Sequence, residues 1–156
     1  MRGHIAAQIA RDAALDDHDN MYVTLSGLMC WDAVIACQVK AGMARPAPVT
    51  THEHDHVISL DDTAVASRRE MQRVPQGASV GFFRNGTLVH LMIATGAGTA
   101  AGNKNQCIGI GEPVGWEILD LGVIWRGGQG VHARPTAVLC PLPGDRMIAG
   151  AIIGGE

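Results

Sequence analysis

The chain has 156 residues, the size of one globular domain, and 47% of them are hydrophobic while 17% are charged. This composition excludes a disordered chain and predicts a single domain over residues 1–156. The formal net charge is −3 and no block of basic residues occurs, which argues against nucleic acid as the main partner. Twenty glycines and an aromatic content of 4% favour short strands and tight turns over a helical bundle.

The N-terminal segment and the cysteines indicate a cytoplasmic protein as synthesised. Six charged residues interrupt the first 20 positions, so no cleavable signal peptide is expected. No run approaches the ~20 apolar residues that span a bilayer. The four cysteines (30, 37, 107 and 140) form no CxxC motif. Reduced thiols are therefore expected, with two disulfides as the alternative.

The first half of the chain is predicted to be mainly helical. Residues 4–17 are rich in alanine and place Ile5, Ile9 and Ala13 on one helical stripe. Residues 21–25 (MYVTL) predict a short strand or an extended lead-in. Residues 29–41 predict a helix because apolar residues recur at helical spacing and Gly42 follows Lys40.

The second half is predicted to be rich in strands. Residues 44–78 form a long irregular connection with a short helix near 61–73. Asn85-Gly86 separates two apolar, β-prone runs and predicts a hairpin with strands near 78–84 and 87–95. Further strands are expected near 106–110, 116–125 and 146–153. The resulting fold class is α+β with an antiparallel sheet.

Cys30 stands where the helix over residues 29–41 begins. A thiolate at a helix N-terminus is stabilised by unsatisfied N–H groups, which lowers the thiol pKa and makes the sulfur a nucleophile. The N–H groups of Cys30 and Trp31 could hold a developing oxyanion. The alternative is that Cys30 is a small buried hydrophobe.

His90 lies in the apolar run of the second hairpin strand and is a candidate base for Cys30. The alternative is a histidine satisfied within the core. A turn at 95–98 follows, and then a segment with Asn103 and Asn105. An asparagine on the adjoining strand could orient the imidazole as the third member of a triad, whereas the alternative for both asparagines is turn chemistry.

The segment PQGASVGFF, the turn and VHLMIATGAG resemble the papain-like NlpC/P60 cysteine hydrolases. Their pattern reads P-G-D-x-V-x-F-F and then H-V-x-I-Y-x-G-x-G, and MCWDAV resembles the start of their nucleophile helix. The matching positions are Pro75, Gly77, Val80, Phe82, Phe83, His90, Ile93, Gly96 and Gly98. The resemblance covers about residues 26–105 and implies a papain-like catalytic domain, with the nucleophile helix packed on an antiparallel sheet. It also implies that Cys30 attacks an amide carbonyl while His90 acts as base and then acid.

The chain departs from this pattern at several positions. Ala78 replaces the aspartate after Pro-Gly, and no glutamine precedes Cys30 to complete an oxyanion hole. The third polar residue of the pattern falls near Gly102, so Asn103 requires a shift of one residue and Asn105 a larger one. Asp120 is a further candidate for the third member.

Three other motifs have simpler interpretations. His52, His54 and His56 could bind a transition metal, although a solvated loop is favoured. The glycines at 96–102 and 109–115 miss the dinucleotide-binding spacing and indicate turns. The three tryptophans (31, 116 and 125) are predicted to be core residues or groove walls.

The sequence therefore predicts a cysteine hydrolase that acts on an amide bond as a peptidase, an amidase or a deamidase. Its substrate would be a peptide, peptidoglycan or a side-chain amide of a target protein, and no cofactor is expected. The missing signal peptide suits a bacterial effector toxin exported by a dedicated secretion system, with an immunity or chaperone protein as a possible partner. The alternatives are a non-enzymatic binding domain on the same fold and a metal-binding protein that uses the histidine cluster.

Overall fold

The computed structural model describes residues 2–16, 18, 20–46, 63–104, 115–124 and 144–152, and these residues have an α+β architecture. The predicted coarse class is thereby confirmed. The helices are α1 (Arg2–Leu15), α2 (Asn20–Ser26), α3 (Cys30–Lys40), α4 (Arg68–Arg73) and α5 (Leu121–Ile124). The strands are β1 (Thr63–Val65), β2 (Ser79–Arg84), β3 (Thr87–Gly96), β4 (Thr99–Lys104), β5 (Gly115–Asp120) and β6 (Arg146–Gly150).

The six strands form one antiparallel sheet in the order β1-β6-β2-β3-β4-β5. Helices α1, α2 and α3 cover one face, where Leu91, Ile93 and Trp116 belong to their core cluster. On the opposite face, Phe82 and Met92 pack in a second cluster with α4 and α5. Because side chains alternate along a strand, β3, β4 and β5 contribute to both clusters. We call these surfaces the α1–α3 face and the α4–α5 face.

Helix α1 buries mainly alanines, and of the predicted stripe Ala13 is buried, Ile9 packs partly buried against the core cluster and Ile5 lies outside it. Its buried residues are Ala6, Ala7, Ala10 and Ala13, whereas Ile5 is 48% exposed. The small side chains allow the helix backbone to lie close to the sheet. The indole Nε1 of Trp116 can therefore donate a hydrogen bond to the carbonyl oxygen of Ala10, at 2.8 Å. The prediction that Trp116 is a core residue is confirmed.

Residues 21–25 belong to α2, so the prediction of a strand or extended lead-in was wrong. Leu25 is fully buried against the other helices, while Val23 is 63% exposed. The β-branched residues of this short segment favour a strand, but tertiary packing of Leu25 determines the helix. The helices predicted at 4–17 and 29–41 are confirmed as α1 and α3, and Gly42 follows α3 with φ +87°.

The hairpin at Asn85-Gly86 is confirmed as the connection between β2 and β3. Asn85 has φ +52° and Gly86 has φ +78°, the left-handed pair that a two-residue turn between twisted strands requires. A bulge lies where the register shifts between Phe82 and Phe83, which pair with His90 and Leu88. The bulge sets the direction of the side chains at the start of β3.

The other predicted elements are confirmed in part. The region 61–73 contains strand β1 before the helix α4, and α4 begins at a capping box formed by Ser67 and Glu70. The region 116–125 contains β5 followed by the short helix α5, and β6 covers part of 146–153. The strand predicted at 106–110 lies outside the described residues.

Gly77 allows the start of α1 to lie against the segment before β2. It has φ +89°, and a Cβ atom there would overlap the backbone of Gly3. Only glycine accommodates both conditions. This close contact helps to fix α1, and with it the α1–α3 layer, on the sheet.

Candidate functional site

A pocket of about 470 Å³ lies between the start of α3 and the start of β3. Its walls include both Cys30 and His90, so the structure places the two predicted residues at one cavity. The walls are otherwise mainly apolar, with Asp32 and Arg45 as the charged residues. The full lining is Met29, Cys30, Trp31, Asp32, Ile35, Arg45, Pro46, Leu88, Val89 and His90.

Cys30 is the first residue of α3 and is partly exposed. Met29 occupies the N-cap position with extended backbone angles and supplies no side-chain cap. The helix therefore begins without the serine, threonine or aspartate that commonly accepts hydrogen bonds from its first N–H groups. The fold thus places the Cys30 thiol at the positive end of an eleven-residue helix beside the pocket.

The imidazole of His90 lies on the α4–α5 face of the sheet. His90 pairs with Phe82 across the hairpin, and the centroids of the two rings are 5.9 Å apart. Its neighbour Leu91 points to the α1–α3 face. His90 is 0% exposed, and burial lowers the pKa of its imidazole to about 3. The ring is therefore neutral at physiological pH. Its packing matches the alternative interpretation of the sequence, a histidine within the core.

Asn103 contacts the loop before Cys30. Its Nδ2 donates hydrogen bonds to the carbonyl oxygens of Leu25 and Leu28, both at 2.7 Å. Asn103 pairs with Trp116 on β5, which places both side chains on the α1–α3 face. The imidazole of His90 lies on the other face, so these contacts give Asn103 a different role from the predicted triad member.

The remaining candidates for the third member do not approach His90 among the described residues. Asn105 lies outside them. Asp120 ends β5 opposite Thr99, and Thr99 pairs with Gly96 on β3. Gly96 is six residues from His90, which corresponds to about 20 Å along a strand. Asp120 is thus at the far end of the sheet from the pocket.

The second described cysteine differs from Cys30 in its surroundings. Cys37 is 0% exposed on the buried side of α3, and burial raises the pKa of its thiol to about 12. Neither Cys30 nor Cys37 forms a disulfide bond within the described residues. Cys107 and Cys140 lie outside the described residues.

The histidine cluster at 52–56 also lies outside the described part of the chain. Within that part, no group of three or more histidine, cysteine or acidic side chains could hold a metal ion. No described helix has the length and apolar character needed to cross a membrane.

Sequence reasoning missed most of the pocket wall. Met29 is 74% exposed beside Cys30, and Leu88 and Val89 reach the pocket from the start of β3. The signal available in the sequence was the apolar pair Trp31 and Ile35, which are one helical turn apart and both line the pocket. Trp31 is the groove wall that the sequence predicted.

No protein-family model, curated protein or solved structure matches this chain. The resemblance to the NlpC/P60 hydrolases therefore stays a prediction based on short motifs. The assignment of a function depends on the chemistry of the pocket itself.

Proposed function

We propose that this chain is a cysteine-dependent hydrolase of amide bonds with a papain-like arrangement of helix and sheet. The observation that carries the proposal is the single pocket shared by Cys30, at an uncapped helix start, and His90. The partly exposed thiol lies where helix N–H groups stabilise a thiolate and the oxyanion of a tetrahedral intermediate. The apolar walls formed by Trp31, Ile35 and Leu88 would hold an apolar group of the substrate.

In this mechanism the sulfur of Cys30 attacks the carbonyl carbon of the amide while His90 accepts the thiol proton. This role requires the imidazole to turn from its contact with Phe82 towards the α1–α3 face, where Cys30 lies. The carbon–nitrogen bond then breaks, and the proton passes from the imidazolium to the leaving nitrogen. Water hydrolyses the resulting thioester with His90 as base, which releases a carboxylic acid and restores the thiol. A primary side-chain amide would release ammonia, whereas a peptide bond would release an amino terminus.

A second candidate function is a non-enzymatic binding domain. The observation that favours it is the position of the His90 ring, which is fully buried against Phe82 and has a pKa of about 3. A general base works best when its pKa is close to the operating pH, and an imidazole with this pKa is a weak base at neutrality. In this candidate the pocket binds an apolar segment of a partner without chemistry.

The two candidates can be separated by turnover on casein, with new amino termini and released ammonia measured in parallel. We expect Cys30→Ala to abolish turnover while the melting temperature stays within a few degrees, because Cys30 is not part of the core. Cys37→Ala is the matched control, since it removes a thiol from the same helix but away from the pocket. Equal turnover in Cys30→Ala and the native chain would reject the hydrolase, and absence of both products with the native chain would favour the binding domain.

The role of His90 is tested by the pH dependence of Cys30 alkylation with iodoacetamide, resolved by mass spectrometry. We expect Cys30 to react well below the pH typical of a free thiol, whose pKa is about 8.5. We also expect His90→Ala to reduce this reactivity at neutral pH. An unchanged profile in His90→Ala would remove His90 from the mechanism.

A further inference from the structure

Residues 26–29 run from the last residue of α2 to the residue before α3 and determine where Cys30 begins its helix; we call this segment the loop before α3. The loop follows Leu25, whose carbonyl oxygen also accepts a hydrogen bond from the backbone N–H of Leu28, at 3.1 Å. Met29 gives α3 no side-chain cap, so the loop cannot be fixed from within by the usual capping side chain. The groups that fix it come instead from the sheet.

Two residues of neighbouring strands donate three hydrogen bonds to this loop and to Leu25 before it. The amide of Asn103 on β4 donates to the carbonyl oxygens of Leu25 and Leu28. The backbone N–H of Trp116 on β5 donates to the hydroxyl of Ser26, at 3.1 Å. Asn103 and Trp116 are direct partners in the β4–β5 ladder, so the two donors lie next to each other. Together they hold the loop at Ser26 and at Leu28.

The chemistry of the Asn103 contacts is specific to an amide. Both acceptors are carbonyl oxygens, which cannot donate, so the side chain must present its NH₂ group to them. Asn103 is 5% exposed, and its Oδ1 has no hydrogen-bond partner among the described residues. A carboxylate at this position would face two carbonyl oxygens with no donor in the described surroundings.

We propose that Asn103 is a positioning residue for Cys30: it anchors the loop before α3 and thereby sets the thiol at the pocket, rather than orienting the imidazole of His90. This inference rests on the proposed role of Cys30 as nucleophile. Leu28 is two residues before Cys30, so movement of its carbonyl group would shift the start of the helix directly. Loss of the anchor would let the first turn of α3 fray and would weaken its stabilisation of a thiolate.

The substitution Asn103→Asp separates the two roles because they predict opposite effects. A residue that orients a cationic imidazole works as a carboxylate, as the aspartate of a Ser-His-Asp triad does. An anchor that donates to two carbonyl groups fails as a carboxylate. Gln38→Glu is the matched control: Gln38 is also a buried amide, but it donates to the hydroxyl of Ser79, at 2.9 Å, on a different strand.

The experiment measures the pH midpoint of Cys30 alkylation by iodoacetamide and the free energy of unfolding in each variant. We expect Asn103→Asp to raise the midpoint by about one pH unit towards the value of a free thiol, whereas Gln38→Glu leaves it unchanged. A midpoint that stays the same or falls in Asn103→Asp would overturn the inference. If the alkylation midpoint of Cys30 in the native chain is already about 8.5, the pKa of a free thiol, the proposed function itself fails. The role of Asn103 in positioning a nucleophile then fails with it.

The stability measurement covers the case in which Asn103→Asp does not fold at neutral pH. The protonated carboxyl group can donate to one of the two carbonyl groups, so the variant should gain stability relative to the native chain as pH falls from 7 to 4.5. In that case the uncharged variant Asn103→Ala replaces Asn103→Asp in the alkylation experiment. It should also raise the alkylation midpoint of Cys30. A stability difference that is independent of pH would refute the anchoring geometry.

Discussion

Replacement of His90 by leucine tests whether its imidazole is as deeply buried as the structure shows. Burial lowers the imidazole pKa to about 3 in the folded chain, compared with about 6.5 in an unfolded chain. Between these values the unfolded state binds one more proton than the folded state. The stability due to neutral His90 is therefore complete above pH 6.5 and is lost as the pH falls towards 3.

The size of this effect follows from the two pKa values. Each pH unit in the interval costs about 1.4 kcal/mol, so the native chain should lose about 2 to 3 kcal/mol between pH 7 and pH 4.5 through this group. His90→Leu lacks the titrating group. Between pH 7 and pH 4.5 its free energy of unfolding should therefore fall by about 2 to 3 kcal/mol less than that of the native chain. The packing change at Phe82 alters the absolute stability of the variant but cancels in the comparison of pH slopes.

The assay is urea unfolding of both proteins at several pH values between 4.5 and 7.5. The Hε1 chemical shift of His90 provides a direct second measurement and should keep its neutral value down to pH 4.5. Parallel pH dependences in the native chain and His90→Leu would refute the buried neutral imidazole. A His90 titration near 6.5 would do the same and would support a solvent-accessible catalytic base.

Three further predictions follow from local geometry. At pH 8, iodoacetamide should label Cys37 about a thousandfold more slowly than Cys30, because a thiol with a pKa of about 12 is almost wholly protonated there; comparable rates in the folded chain would contradict the burial of Cys37. Gly77→Ala should destabilise the fold by clearly more than Gly86→Ala in urea unfolding. Both glycines have positive φ, but a Cβ at Gly86 meets open space and costs only about 1 to 2 kcal/mol; equal losses would mean that α1 does not contact Gly77. Ser67→Ala should cost about 1 kcal/mol because it removes the cap of α4, and a neutral result would exclude the capping box.

The sequence by itself determined the elements whose signals are local. The Asn85-Gly86 turn and the helix that begins at Cys30 depend on backbone preferences and on periodicity within a few residues. The α+β class followed from the order of these elements. Local signals failed at residues 21–25, where burial of Leu25 overrides β propensity. On α1 they failed only in part, because Ile5 of the predicted stripe is exposed while Ala13 is buried.

Only the tertiary structure decided which polar groups meet. A strand pattern alone does not say which face of the sheet a histidine occupies, and the bulge beside Phe82 sets that face for His90. The partners of Asn103 lie 78 and 75 residues away in the sequence, so no local pattern could reveal them. Hydrogen bonds at this separation exist only after the helices have docked on the sheet, because docking is what brings a carbonyl group of one layer to an amide of the other.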